Sequence, residues 1–391
     1  MIKLFLSGIW KFIQSVQKIV GTIFFIFIVF LFFLYLTEDT TPDVPNGAAL
    51  IINPEGFVVE QLSEKNALDI IVGAERNIPP ETLLRDIIRA IKVAQHDSRI
   101  KILILRLDYI NPMGASKAHY IAKAIDDFKT SGKKVYAYGV GYSQSNYLIA
   151  AHADEVYMHP EGSIILSGYG IYPTYYKGAL EKIGAKINVF KVGDYKSAVE
   201  PYIRDNMSLE AKIANQTLLN KLWGAWVNDV TTQRGLEKGT IENSFASLQE
   251  DLRKLGGDMG LYTKSLNLID GLFTQNEWKN YIQNIVGSAN SGSYKNIGIR
   301  NYLISNPEQT SRFGDEIAII VASGTIMAGE QPSGVVGGDT IARHIRAARF
   351  DKDVKALVLR VDSPGGSLIG SEVIREEVDL AKEAGKPVIV S

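Results

Sequence analysis

The chain has 391 residues, is 46% hydrophobic and 22% charged, and carries a formal net charge of −1. That is enough apolar material for more than one folded domain, and the balanced charge, with no basic run, argues against nucleic acid as a partner. Cysteine is absent, which excludes disulfides, a thiolate nucleophile and a cysteine-bound zinc.

The first element is an apolar run. "IVGTIFFIFIVFLFFLYL", residues 19–36, holds no charge, and as a helix it spans roughly 27 Å, close to the thickness of a bilayer core. Lys3, Lys11 and Lys18 precede it, and the next basic residue is Lys65. The positive-inside rule then puts residues 1–18 in the cytoplasm and the rest of the chain across the membrane. No small-x-small cleavage pattern comes after it, so the run reads as an uncleaved signal anchor. Residues 37–46, "TEDTTPDVPN", read as a polar linker.

Folding is expected from residue 47. "AALIINPEGFVVEQ" combines an apolar strand, a turn and an alternating strand. A helix comes next, with Leu84, Ile87, Ile88 and Ile91 on one face. "KILILRLD" (101–108) is a continuous apolar run, as for a strand buried on both faces. A second helix presents Ala118, Ile121, Ala122, Ile125 and Phe128, and "KKVYAYG" resumes a strand. The stretch from 208 to 233, with Leu218, Leu219, Leu222, Trp223 and Trp226, reads as a long helix for packing or assembly. "GSANSGSYKNIGIRNYLISNPEQTSRFGD" (287–315) is rich in Gly, Ser and Asn and is expected to be an interdomain linker.

The same order then returns. "EIAIIVASGTIMAGE", "TIARHIRAARFDKD", "VKALVLRVD", a helix from Ser371 to Ala384 and "GKPVIVS" repeat the five earlier elements, roughly 254–268 residues on. The expected organisation is a first repeat over 47–286 and a second over 316–391. Ser391 falls at the end of an apolar strand, so the sequence is expected to be a fragment or an interrupted reading frame.

Three stretches carry possible chemistry. "VDSPGGS" (361–367) comes directly after a buried strand; two successive glycines permit positive φ and turn backbone N–H groups toward an anion, although a plain strand-to-helix turn uses the same residues. "KVGDYKSAVEPY" (191–202) sets Lys196 among Val192, Tyr195, Ala198 and Val199. A lysine serves as general base only when neutral, which needs burial away from carboxylates; Asp194 and Glu200 oppose that, and a solvated surface lysine fits the residues as well. Ser197 is adjacent, so its side chain diverges from that of Lys196. Ser143 and Ser145, in "GYSQSNYL", are better placed as partners. His96, His119, His152, His159 and His344 are scattered, form no metal pattern, and read as surface or satisfied core residues.

"GDYKSAVEPYIRDNMS" (193–208) and "LRVDSPGGS" (359–367), with the anchor and the duplication, resemble the long, duplicated signal peptide peptidase A family, membrane-anchored serine peptidases of the ClpP/crotonase superfamily. The resemblance covers the whole chain and implies an α/β fold of repeated β-β-α superhelical domains. It implies a Ser-Lys dyad, with Lys196 as general base and Gly365 and Gly366 in the turn that forms the oxyanion hole. The family's nucleophile sits in an "A-S-G-G-Y"-type motif that would fall some six or seven residues past Ser391. In the first repeat "SQSNY" holds that place, with Gln144 at the serine's position. The resemblance further implies a peptidase for cleaved signal peptides, with no cofactor or metal. It would be a homo-oligomer, as a tetramer, in the inner membrane with its catalytic domains periplasmic. This chain by itself is expected to be inactive. Two other readings stand beside it: a non-catalytic scaffold or regulatory subunit, and an acyl-CoA-handling crotonase relative.

Overall fold

The computed structural model describes residues 41–63, 79–290, 292–308 and 314–391, together with residues 17, 18, 20–30 and 32 near the N-terminus. The chain divides into two units, residues 1–43 and 44–391. In the first, residues 20–30 are helical with exposed side chains. Among the described residues no helix is long and apolar enough to cross a membrane. Parts of the expected anchor, residues 19, 31 and 33–36, lie outside the described residues, as do residues 37–40 of the expected linker. The end of that linker already belongs to the folded unit: Val44 is buried in its core.

The second unit begins with β1 (Ala48–Ile52), β2 (Phe57–Val59), β3 (Glu81–Leu83), α1 (Leu84–His96), β4 (Ile100–Leu105), α2 (Ala115–Lys129), β5 (Lys134–Gly139), β6 (Tyr142–Ser143), α3 (Gln144–Ala150), β7 (Glu155–Met158) and β8 (Ile164–Ile165). Then come α4 (Lys177–Lys182), α5 (Glu200–Ile203), α6 (Leu209–Arg234), α7 (Thr240–Lys254), α8 (Met259–Ser265), β9 (Gly271–Leu272), α9 (Gln275–Val286), β10 (Asn296–Gly298) and α10 (Ile299–Ser305). The succession β1-β2-β3-α1-β4-α2-β5 recurs as β11 (Glu316–Ser323), β12 (Thr325–Met327), β13 (Val335–Gly337), α11 (Gly338–Phe350), β14 (Val354–Asp362), α12 (Leu368–Glu383) and β15 (Val388–Val390).

The main sheet is parallel, in the order β10-β1-β4-β5-β7-β9. Parallel strands need crossovers, and the helices that supply them cover the sheet, which is why β4 reads as an unbroken apolar run. Ile87 and Ile91 of α1 and Ile121, Ile125 and Phe128 of α2 pack with Leu50, Leu103 and Leu105 on one face. Trp278, Ile282 and Val286 of α9, one helical turn apart, cover Ala49, Ile104 and Tyr138 on the other. The second repeat forms a smaller parallel sheet, β11-β14-β15. Its helices α11 and α12 are tied by Glu377, buried at 4% exposure, which accepts from Arg346 Nε at 2.8 Å and Arg349 Nη2 at 3.3 Å.

The expected linker over 287–315 is not all linker. β10 pairs with β1 as an edge strand, and Tyr302 of α10 is fully buried in the main core. The cause is visible in the residues: Ile297, Ile299 and Tyr302 are apolar anchors within a Gly/Ser/Asn-rich stretch. Asp97 fixes this addition. It accepts the Tyr302 hydroxyl at 3.0 Å and Arg99 Nη2 at 2.8 Å. The Arg99 guanidinium and the Tyr302 hydroxyl hold the Asp97 carboxyl below its ordinary range, against the opposing effect of burial. A lowered folded-state pKa contributes stability above the unfolded value of about 3.9, lost as pH falls through the folded value. Asp97→Asn is therefore expected to cost about 2 kcal/mol at neutral pH and to flatten the loss of stability on acidification below about pH 4, measured by urea unfolding at several pH values.

Candidate active site

Lys196 sits on an arm, residues 169–207, that leaves the first repeat after β8 and returns through α6. Glu200 is the one fully buried side chain in that segment. Lys196 itself is exposed, and among the described residues its amine has no hydrogen-bond or ion-pair partner. Among the described residues Val192 and Tyr195 form no apolar wall around it: they are 90% and 61% exposed.

Glu200, four residues on, is turned to a different task. Its carboxylate accepts the Ser208 N–H at 3.0 Å, and Ser208 caps α6 by accepting from Ala211 N at 3.1 Å. Burial raises the Glu200 pKa, but donation from Ser208 and the nearby Arg204 and Lys191 outweigh it and leave it lowered. Glu200 therefore ties the lysine's segment to the start of α6. Of the two carboxylates expected to oppose a neutral lysine, Glu200 is committed elsewhere and Asp194 is exposed.

The glycine turn lies between β14 and α12. Gly365 has φ +100° and Gly366 φ +154°. The Gly365 N–H donates to Ser363 Oγ at 3.1 Å, so it is not open to an anion. The Gly365 carbonyl accepts Ile326 N–H at 3.0 Å, and Ser367 N–H donates to Ile326 O at 2.8 Å. This pairing against β12 leaves the Gly366 N–H without a partner among the described residues. Of the two glycines, Gly366 presents the free donor.

No hydrogen bond or ion pair among the described residues joins Lys196 to Gly365 or Gly366. The two repeats do meet elsewhere: Arg360 Nη2 lies 3.3 Å from Glu60 Oε1. Beside that pair is a cleft of about 920 Å³, lined by Leu62, Leu84 and Tyr120 of the first repeat and Ile319 and Val358 of the second.

In the first repeat Gln144 opens α3, behind Ser143, whose hydroxyl caps the helix. Ser145 Oγ accepts the Met113 N–H at 3.2 Å. Met113 stands where the second repeat has Gly365, so a serine already occupies that amide. The histidines are less scattered than their spacing suggests. His152, 4% exposed, lies 2.9 Å from Asp126 and 3.3 Å from Asp229, and His119 lies 3.0 Å from the same Asp229. Separations of 33 and 77 residues carry no local signal, and the topology alone brings these groups together.

Over residues 127–277 the chain matches peptidase family S49. It is 35% identical to Protease 4 of Salmonella typhi, covering 99% of this chain and 63% of that protein. It is also 35% identical to Protease 4 of Haemophilus influenzae, covering 88% and 56%. Serine protease SPPA, chloroplastic, of Arabidopsis thaliana is 27% identical, covering 76% and 43%. The chain thus spans at most 63% of the length of these relatives. The matched segment contains Lys196 and its arm, so the part of the chain that bears the candidate base is similar to peptidase family S49.

Proposed function

We propose that this chain is the base-bearing part of a membrane-anchored serine endopeptidase working through a Ser-Lys dyad. The observation that carries the reading is that the S49 match, 127–277, encloses the Lys196 arm, in a chain aligned almost end to end with Protease 4. In the reaction, the neutral Lys196 amine takes the proton of a serine hydroxyl as its oxygen attacks a peptide carbonyl. The tetrahedral oxyanion is held by the Gly366 N–H. The amine then returns the proton to the leaving nitrogen, and water resolves the acyl-enzyme by the same steps reversed in role.

The serine is supplied by an "A-S-G-G-Y"-type motif of the second repeat. Lys196 loses solvent only on assembly, as a homo-oligomer of tetrameric type with a ClpP/crotonase-like core. Residues 19–36 anchor it in the inner membrane, with the catalytic side periplasmic. Substrates are cleaved signal peptides and similar apolar segments, bound extended. Exposed Phe190, Val192 and Tyr172 on the arm suit contact with a further chain or an apolar substrate.

A fluorophosphonate probe tests the reading. It is expected to leave the 391-residue chain unlabelled and to label a chain that continues through the serine motif. Absence of labelling in both favours the non-catalytic scaffold.

A further inference from the structure

The first repeat's counterpart of the nucleophile position is not empty ground. Gln144 is 9% exposed. Its Oε1 accepts the Gly168 N–H at 2.8 Å, and its Nε2 donates to Gly168 O at 3.4 Å. One side-chain amide thus bonds both the N–H and the C=O of one residue, as a neighbouring strand would. It does so where the backbone ladder stops, since β6 and β8 pair as Tyr142↔Ile164 and Ser143↔Ile165. Gly168 turns at φ +68°, a conformation that favours glycine. The Gln144 side chain therefore extends the ladder past the last strand pair to the residue where the arm departs.

The same residue holds the arm's return. The Gln144 carbonyl accepts the Trp226 indole N–H at 2.9 Å. Trp226 is 1% exposed in α6 and stacks on Trp223 with ring centroids 5.2 Å apart. Between these two roots the arm is held mostly to itself. Tyr176 N–H donates to Pro201 O at 2.6 Å, and the Tyr176 and Tyr202 rings stack at 6.0 Å. A segment with so little buried apolar surface opens at low free energy, so its placement depends on its roots.

We propose that Gln144 is a positioning residue: the first repeat's counterpart of the nucleophile slot serves as the mount for the arm that carries Lys196. This rests on the reading of Lys196 as the base. A serine at this position could not replace the amide, because a hydroxyl has one hydrogen and a shorter reach, whereas the amide presents donor and acceptor on one plane. The substitution that removes the nucleophile from the first repeat is the one that fixes the base.

The test is amide hydrogen exchange on the 391-residue chain, comparing the parent with Gln144→Ala and Gln144→Glu. Gln144→Ala is expected to speed exchange at Gly168 and at the arm's hydrogen-bonded amides, such as Tyr176 and Glu200, by about tenfold, with the β4 amides unchanged. Gln144→Glu separates mounting from bulk packing. An ionised carboxylate still accepts the Gly168 N–H but faces the Gly168 carbonyl without a donor; the protonated acid supplies one. Relative to the parent at the same pH, arm protection is expected to be lost at about pH 8 and regained near pH 4. Unchanged exchange at Gly168 and the arm in Gln144→Ala overturns the proposal, as does a pH-independent Gln144→Glu. If Gln144→Ala does not fold, Gln144→Glu at the two pH values decides. The readout needs no peptide hydrolysis, so a failure of the peptidase reading leaves it intact and is recognised separately by the fluorophosphonate probe.

Discussion

Gly366→Ala is expected to break open the turn between β14 and α12, while Gly365→Ala at the preceding position is far milder. A Cβ on Gly366 would lie 2.1 Å from the Ile326 carbonyl oxygen and 2.9 Å from Ile326 N, both backbone atoms that cannot swing aside. A Cβ on Gly365 meets open space, leaving only the strain of its φ of +100°. Backbone strain and overpacking together put the cost at Gly366 near ~4 kcal/mol, roughly a thousandfold in a local opening equilibrium. At Gly365 strain alone costs about 1–2 kcal/mol. Amide exchange over Thr325–Met327 and Ser367–Gly370 measures both. Equal effects at the two positions would show that the close approach of β12 does not shape this turn. The functional consequence is specific: the unpartnered Gly366 N–H is aimed by that approach, so the variant loses the proposed oxyanion donor along with the turn.

The asymmetry is only half legible in the residues. The pair Gly365-Gly366 after an apolar strand announces a turn with positive φ, and that much needs no coordinates. Which amide is free depends on Ser363 and Ile326, and Ile326 belongs to another strand, far from Gly366 in the chain. The same division holds for the fold. β4 and β14 are readable because burial on both faces leaves an unbroken apolar run. α1 and α2 are readable because one-sided burial imposes the helical period. The stretch over 287–315 misleads because its composition is that of a loop, yet Ile297 and Tyr302 suffice to add a strand and a helix to the sheet.

At the site, Lys196 stands out by its motif, but its environment cannot be deduced from its neighbours in sequence. Val192 and Tyr195 are apolar and still face solvent, since none of the described residues covers them. Glu200 has the spacing of a counter-charge, and its commitment to the Ser208 amide is visible only with α6 in place. Gln144 carries no catalytic signal at all. Its role comes from Gly168 and Trp226, 24 and 82 residues distant, and only the fold assembles them.

In the proposed dyad, an amine from the first repeat activates a serine from the second. A lysine acting as base must surrender its proton and regain it within each turnover, which an arginine cannot do at any accessible pH. In a chain continuing through the serine motif, Lys196→Ala and Lys196→Arg are both expected to lower kcat by about 10²–10⁴. KM for an apolar peptide should change little, because the lysine acts on the serine and not on the bound peptide. The decisive measurement is steady-state hydrolysis of that peptide by parent and variants. Loss of kcat in both variants is the predicted result, and near-parental kcat in Lys196→Ala would contradict the account.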